Sequence, residues 1–133
     1  MNILLDTHVV LWWQAGGDRL THTATRAIDT AGEILISPLT CWEIVTLHRL
    51  GRIELDREPL QWIRDLLGGE RISEAPLSPE AAAWAGGLAA DFPGDPIDRL
   101  LYGTARDLRV PLVTKDDRLR AAADALPDVR VIW

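Results

Sequence analysis

Four carboxylates stand where this sequence could do chemistry. Asp6 follows the short apolar run Asn2-Ile3-Leu4-Leu5, and Asp116 follows Val113-Thr114-Lys115. Asp98 closes the group Asp95-Pro96-Ile97-Asp98. Glu43 lies in an otherwise apolar stretch, with Trp42, Ile44 and Val45 beside it and Leu39 and Leu47 one turn away. Carboxylates gathered at one place repel each other and rise in pKa unless a cation compensates. An all-oxygen donor set without a His or Cys cluster suits a hard ion, Mg²⁺ or Mn²⁺. A bound ion of that kind can neutralise developing negative charge and lower the pKa of a bound water.

Each acid also has a structural explanation. Asp6 or Thr7 can cap the helix that follows. Asp95 is a good N-cap, with Asp98 three residues on to complement the helix dipole. Asp116 can cap the last helix, and Glu43 can be a solvated helix residue. Glu43 resists that explanation, because an acid amid so much apolar surface either is buried with a partner or points into a cleft. Thr7 and Thr114, each beside one of these acids, are candidates for hydrogen bonding to a substrate, or ordinary caps.

The elements that must position these residues alternate. Strands are expected at Asn2 to Leu5, Glu33 to Ser37, Arg71 to Pro76, Val110 to Thr114 and Val129 to Ile132. Helices are expected over His8 to Ala15, Thr21 to Thr30, Pro38 to Leu50 and Pro59 to Leu67. Further helices follow from Ser78 to about Asp91, from Asp95 to Leu108, and from Asp116 to Ala123. This alternation implies an α/β fold, a parallel sheet of four to five strands between helical layers. In such sheets ligands bind beyond the carboxyl ends of the strands, and right-handed crossovers bring those ends to one edge.

The 133 residues, 47% of them hydrophobic and 26% charged, read as one domain over 1–133. No apolar run is long enough for a membrane span, and no basic segment precedes Ile3-Leu4-Leu5 as in a signal peptide. Cys41, the only cysteine, excludes an internal disulfide and a CxxC metal site, which points to a cytoplasmic protein. It is expected to be a small buried hydrophobe. The net charge of −6 and pI near 4.9 argue against a broad basic nucleic-acid-binding face. Lys115 is the only lysine. No Ser–His–Asp constellation is visible, and His8 and His22 receive no role.

Four blocks carry a resemblance that spans nearly the whole chain. They are Leu4-Leu5-Asp6-Thr7-His8; Ser37 through Trp42-Glu43-Ile44 to Leu50-Gly51-Arg52; Asp95-Pro96-Ile97-Asp98-Arg99-Leu100-Leu101; and Pro111-Leu112-Val113-Thr114-Lys115-Asp116. In order and spacing they resemble the PIN-domain ribonucleases, specifically the VapC-type toxins of toxin–antitoxin pairs. The resemblance implies a three-layer α/β/α PIN-like fold, with the family's metal-binding acids falling on Asp6, Glu43, Asp98 and Asp116. It further implies Mg²⁺-dependent endoribonuclease activity leaving a 5′-phosphate and a 3′-hydroxyl, toxin homodimers, and an antitoxin whose tail blocks the acidic site. One position departs: many relatives carry a lysine where this chain has Leu47, leaving His48 or Arg49 as possible replacements.

The six tryptophans are expected in the core and helix packing. Adjacent Trp12 and Trp13 cannot share one helix face, so one of them is expected on an exposed patch that a dimer or antitoxin would cover. Two non-catalytic readings compete with the nuclease. One is a receiver-like phospho-acceptor domain using Asp6 and Lys115, which lacks the acceptor Asp at the end of Ile34 to Ser37. The other is a PIN-like domain that binds RNA without cutting it.

Overall fold

In the computed structural model, which describes residues 1–126 and 128–133, the chain alternates as expected. The strands are β1 (Ile3–Leu5), β2 (Ile34–Ile36), β3 (Ile72–Glu74), β4 (Leu112–Val113) and β5 (Val131–Ile132). Between β1 and β3 lie α1 (Thr7–Gln14), α2 (His22–Thr30), α3 (Pro38–Arg49) and α4 (Pro59–Leu67). After β3 come α5 (Pro79–Gly86), α6 (Pro96–Leu108) and α7 (Asp117–Ala125). The strands form one parallel sheet in the order β3-β2-β1-β4-β5.

Strand residues alternate between two cores, as the pleat requires. Ile3, Leu5, Ile34, Ile36 and Val113 face one core, shared with Val9 and Val10 of α1, Ile28 of α2, Ile44 of α3 and Leu66 of α4. Leu4, Leu35 and Leu112 face the other, against Leu101, Tyr102 and Ala105 of α6 and Leu119 of α7. Both faces of the sheet are thus covered, which is why the strands are apolar throughout rather than alternating with polar residues. The architecture is the three-layer α/β/α sandwich.

Most strands are shorter than their apolar runs, because pairing stops where the chain turns into the next helix. The helix after Ser78 is also shorter than expected: Ser78 caps it through Ala81, but it ends at Gly86 with Gly87 as its C-cap, not near Asp91. Two adjacent glycines, each costly in a helix, account for the early stop. A different glycine is needed for packing. A Cβ on Gly103 of α6 would sit 2.7 Å from the Ala81 carbonyl oxygen of α5, so the two helices cross closely there.

The sheet order settles one point about topology. It places β1 at the centre, flanked by β2 and β4, so the order reverses beside the strand that ends at Asp6. Ligand crevices open at such switch points. The receiver-like alternative requires the order 2-1-3-4-5, which this sheet does not have.

Candidate active site

Three helices, α1, α6 and α7, start with acids. Asp6 is the N-cap of α1, Asp95 that of α6 and Asp116 that of α7. Asp95 and Asp98 form a reciprocal capping box, each carboxylate accepting from the other's backbone N–H at 3.0 and 3.2 Å. Glu43 comes from the middle of α3. Asp6, Glu43, Asp95, Asp98, Asp116 and Asp117 all line one open cleft of about 480 Å³. The capping explanation and the convergence of acids therefore hold together. Three helix N-termini direct their positive ends toward the acids and offset part of the charge.

Asp6 is the most constrained of them. Its Oδ1 accepts from the Thr7 backbone N–H at 2.7 Å, and its Oδ2 accepts from the Thr114 hydroxyl at 2.6 Å. Thr114 Oγ1 also accepts the Asp116 N–H at 3.1 Å, so one hydroxyl ties the end of β1 to the start of α7. Thr7 donates to Thr40 Oγ1 at 3.3 Å, one turn before Glu43 on α3. Both Thr7 and Thr114 are fully buried. Neither is among the residues lining the cleft, and their hydroxyls hydrogen-bond to Thr40 and Asp6.

The acids raise one another. Burial, then the charges of Asp6 and Asp95, push the Asp98 carboxyl up to about 7. Asp6 is raised by burial, against the hydrogen bonds from Thr114 and Thr7, and Asp116 adds to the rise. Glu43 is raised by burial, with Asp6 and Asp95 pushing further. Asp116 behaves differently: burial opposes its ionisation, but hydrogen bonds from Arg118 outweigh that and hold it low. Asp117, exposed, pairs with Arg120.

Among the described residues no three acid, imidazole or thiol groups stand close enough to form a ready-made metal-ligand set. The donor chemistry nevertheless fits a hard dication. Every candidate ligand is a carboxylate, and Asp98 is destabilised as an anion by its neighbours' charges, a strain that a divalent ion relieves. Gly94 leaves Asp98 its space. With φ at +95°, it would place a Cβ 2.6 Å from the Asp98 Cβ and 2.7 Å from its Oδ2.

Three cleft residues received no role in the nuclease reading of the sequence: His8, Lys115 and Arg118. Adjacency to Asp6 and Asp116 was the available signal. His48 and Arg49 are not among the cleft residues; the basic side chains there come from α1 (His8), the β4–α7 turn (Lys115) and the first turn of α7 (Arg118). The exposed tryptophan is also a different one. Trp12 and Trp13 are both half-buried, Trp12 against Trp133, whereas Trp42 is 60% exposed on the face of α3 opposite Ile44. Cys41 beside it is half-buried, not buried.

A PIN domain profile matches residues 3–125. Ribonuclease VapC22 of Mycobacterium tuberculosis is 40% identical over 119 residues, covering 90% of each chain. Two solved structures share the fold at low identity. VapBC-1 from nontypeable Haemophilus influenzae has a TM-score of 0.69 at 17% identity, with 98% of this chain and 96% of that one covered. DNA-bound VapBC from Salmonella typhimurium has a TM-score of 0.66 at 18% identity, with the same coverage.

Proposed function

Because the chain belongs to the PIN-domain family, we propose that its acidic cleft hydrolyses RNA phosphodiester bonds and that the protein is the ribonuclease toxin of a toxin–antitoxin pair. The observation that carries this reading is the convergence of Asp6, Glu43, Asp98 and Asp116 on one cleft, from four different elements of the fold. The relative at 40% identity is a ribonuclease by name, and the structural neighbours are VapBC toxin–antitoxin complexes.

Asp6, Glu43, Asp98 and Asp116 are the residues that would hold a divalent ion, Mg²⁺ or Mn²⁺. Such an ion supplies Lewis-acid polarisation of the phosphate and a water of lowered pKa. The chain's own groups do the rest. Thr114 and Thr7 fix the orientation of Asp6 through its two carboxylate oxygens and leave the substrate to the cleft's outer residues. Asp98, whose carboxyl is pushed up to about 7 in the metal-free chain by burial and by the charges of Asp6 and Asp95, is an acid suited to take a proton from the attacking water near neutral pH. Arg118 keeps Asp116 ionised.

The cognate antitoxin is the protein partner. Trp42 and Val45, three residues apart on the exposed face of α3, are apolar surface of the kind a protein partner or a second copy of the chain covers. No described helix is long and apolar enough to cross a membrane, and we place the activity in the cytoplasm.

The test is cleavage of labelled single-stranded RNA by the purified protein. Fragments bearing 5′-phosphates are expected in Mg²⁺, and none in EDTA. Undiminished cleavage in EDTA contradicts the reading, as does intact RNA in both Mg²⁺ and Mn²⁺. A PIN-like domain that only binds RNA gives the latter result.

A further inference from the structure

The rim of the cleft carries a cation without a counter-charge. Arg118 is engaged with Asp116. Lys115, exposed between Thr114 and Asp116, makes no ion pair with a described carboxylate despite six acids around the same cleft. Its ammonium instead lies 4.9 Å from the centre of the Trp12 ring. Trp12 is held from several sides. Trp133 packs 6.0 Å away at 52°, the His8 ring is 5.9 Å away one turn earlier on α1, and the Arg19 guanidinium is 5.8 Å from its centre. Trp12 is not among the residues lining the cleft, whereas His8 and Lys115 both are.

A cation over an aromatic face is held by the ring's quadrupole. That attraction uses none of the ammonium's hydrogen bonds to oxygen, so its donors stay available to a ligand. The alternative resting place, among the acids, would neutralise the lysine and block the site. Trp12 thus keeps the charge at the rim, ready for an anion.

The chemistry of that anion follows from the surroundings. The protein carries a net charge of −6, so a polyanion approaching the cleft meets repulsion except where cations are fixed. RNA with its scissile phosphate over the acids must run its next phosphate across the rim. A peptide carboxylate at Lys115 would still face six acids, whereas a phosphodiester chain would be drawn in by a dication that Asp6, Glu43, Asp98 and Asp116 would hold. We propose that Lys115, stationed over Trp12 beside His8, binds the RNA phosphate adjacent to the one being cleaved, with Trp12 as its positioning residue. This rests on the ribonuclease reading above.

The experiment is steady-state cleavage of a labelled mixed-sequence 12-nucleotide RNA in Mg²⁺ across a NaCl series. For Lys115→Met, KM should rise about tenfold while kcat stays within about twofold. The salt slope of kcat/KM should shrink by about one phosphate contact, ~0.7 for a single strand. Lys115→Arg should recover most of the loss. Trp12→Leu should raise KM part of the way, and Trp12→Phe should restore it, with melting curves recorded for each variant. Wild-type KM and salt slope in Lys115→Met overturn the proposal, and so does a fall in kcat alone. Loss of antitoxin binding with RNA parameters unchanged assigns the lysine to the antitoxin and overturns it equally. If the wild-type protein leaves RNA intact in both Mg²⁺ and Mn²⁺, the ribonuclease reading itself fails, a result distinct from the others.

Discussion

Asp6→Asn should lower RNA cleavage by at least about a thousandfold, roughly 4 kcal/mol of transition-state stabilisation, while leaving the fold intact. The expectation comes from the two roles this residue combines. As a cap it needs only an acceptor for the Thr7 N–H, and an asparagine oxygen supplies one. The new amide can donate to Thr114 where the carboxylate accepted from it. The charge has no substitute, because the proposed site depends on anionic oxygens around a dication. Circular dichroism and melting curves alongside the cleavage assay separate the two roles. Asp6→Asn with full activity would remove Asp6 from the chemistry, and an unfolded variant would mean that its capping bonds outweigh its charge.

Stability without metal should depend on pH in an unusual direction. A carboxyl raised from 3.8 to about 7, as Asp98 is, holds its proton more tightly in the folded chain than in the unfolded one. Its contribution is greatest below pH 3.8 and is lost as pH rises through about 7. Asp6 and Glu43 are shifted the same way. Asp116, shifted down, works in the opposite sense and favours the folded state above its ordinary pKa.

Removing one of the raised acids isolates the effect. In EDTA at pH 8, Asp98→Asn should be about 1–2 kcal/mol more stable than wild type, allowing for solvent screening at a partly exposed group. The gap should close toward pH 4. Saturating Mg²⁺ should reverse the order, since an ion at about a hundred times its Kd adds ~2.7 kcal/mol to the wild type, several degrees in Tm. Thermal melts at pH 4 to 8 with Mg²⁺ or EDTA measure this. A wild type more stable than Asp98→Asn in EDTA at pH 8 would contradict the account, because it would mean that neither burial nor the neighbouring acids disfavour the Asp98 anion.

The sequence made the acids legible because of where each lies. Asp6 and Asp116 stand at strand ends, Asp98 three residues past a cap, and Glu43 where no solvated residue belongs. Periodicity also located the strands and helices, since a sheet covered on both faces needs uninterrupted apolar strands. Orientation was harder to read. Whether Trp12, Trp13 or Trp42 meets solvent depends on how each helix is rotated against the sheet, which α3 fixes by burying Thr40 and Ile44. The threonines posed a related difficulty. A hydroxyl beside an acid can face ligand or support the acid from behind, and only the register of β1 against β4 puts Thr114 on Asp6. Lys115 was legible as a lone lysine but not as a neighbour of Trp12, more than 100 residues away in sequence.

The most direct test of the central claim is Mn²⁺ binding, followed by the electron paramagnetic resonance signal of the free ion, for wild type and for Asp6→Asn, Glu43→Gln, Asp98→Asn and Asp116→Asn. Wild type should deplete the free signal with a defined stoichiometry, and each variant should bind at least about tenfold more weakly. Equal binding by wild type and all four variants, or no binding by wild type, would contradict a metal centre built from these carboxylates.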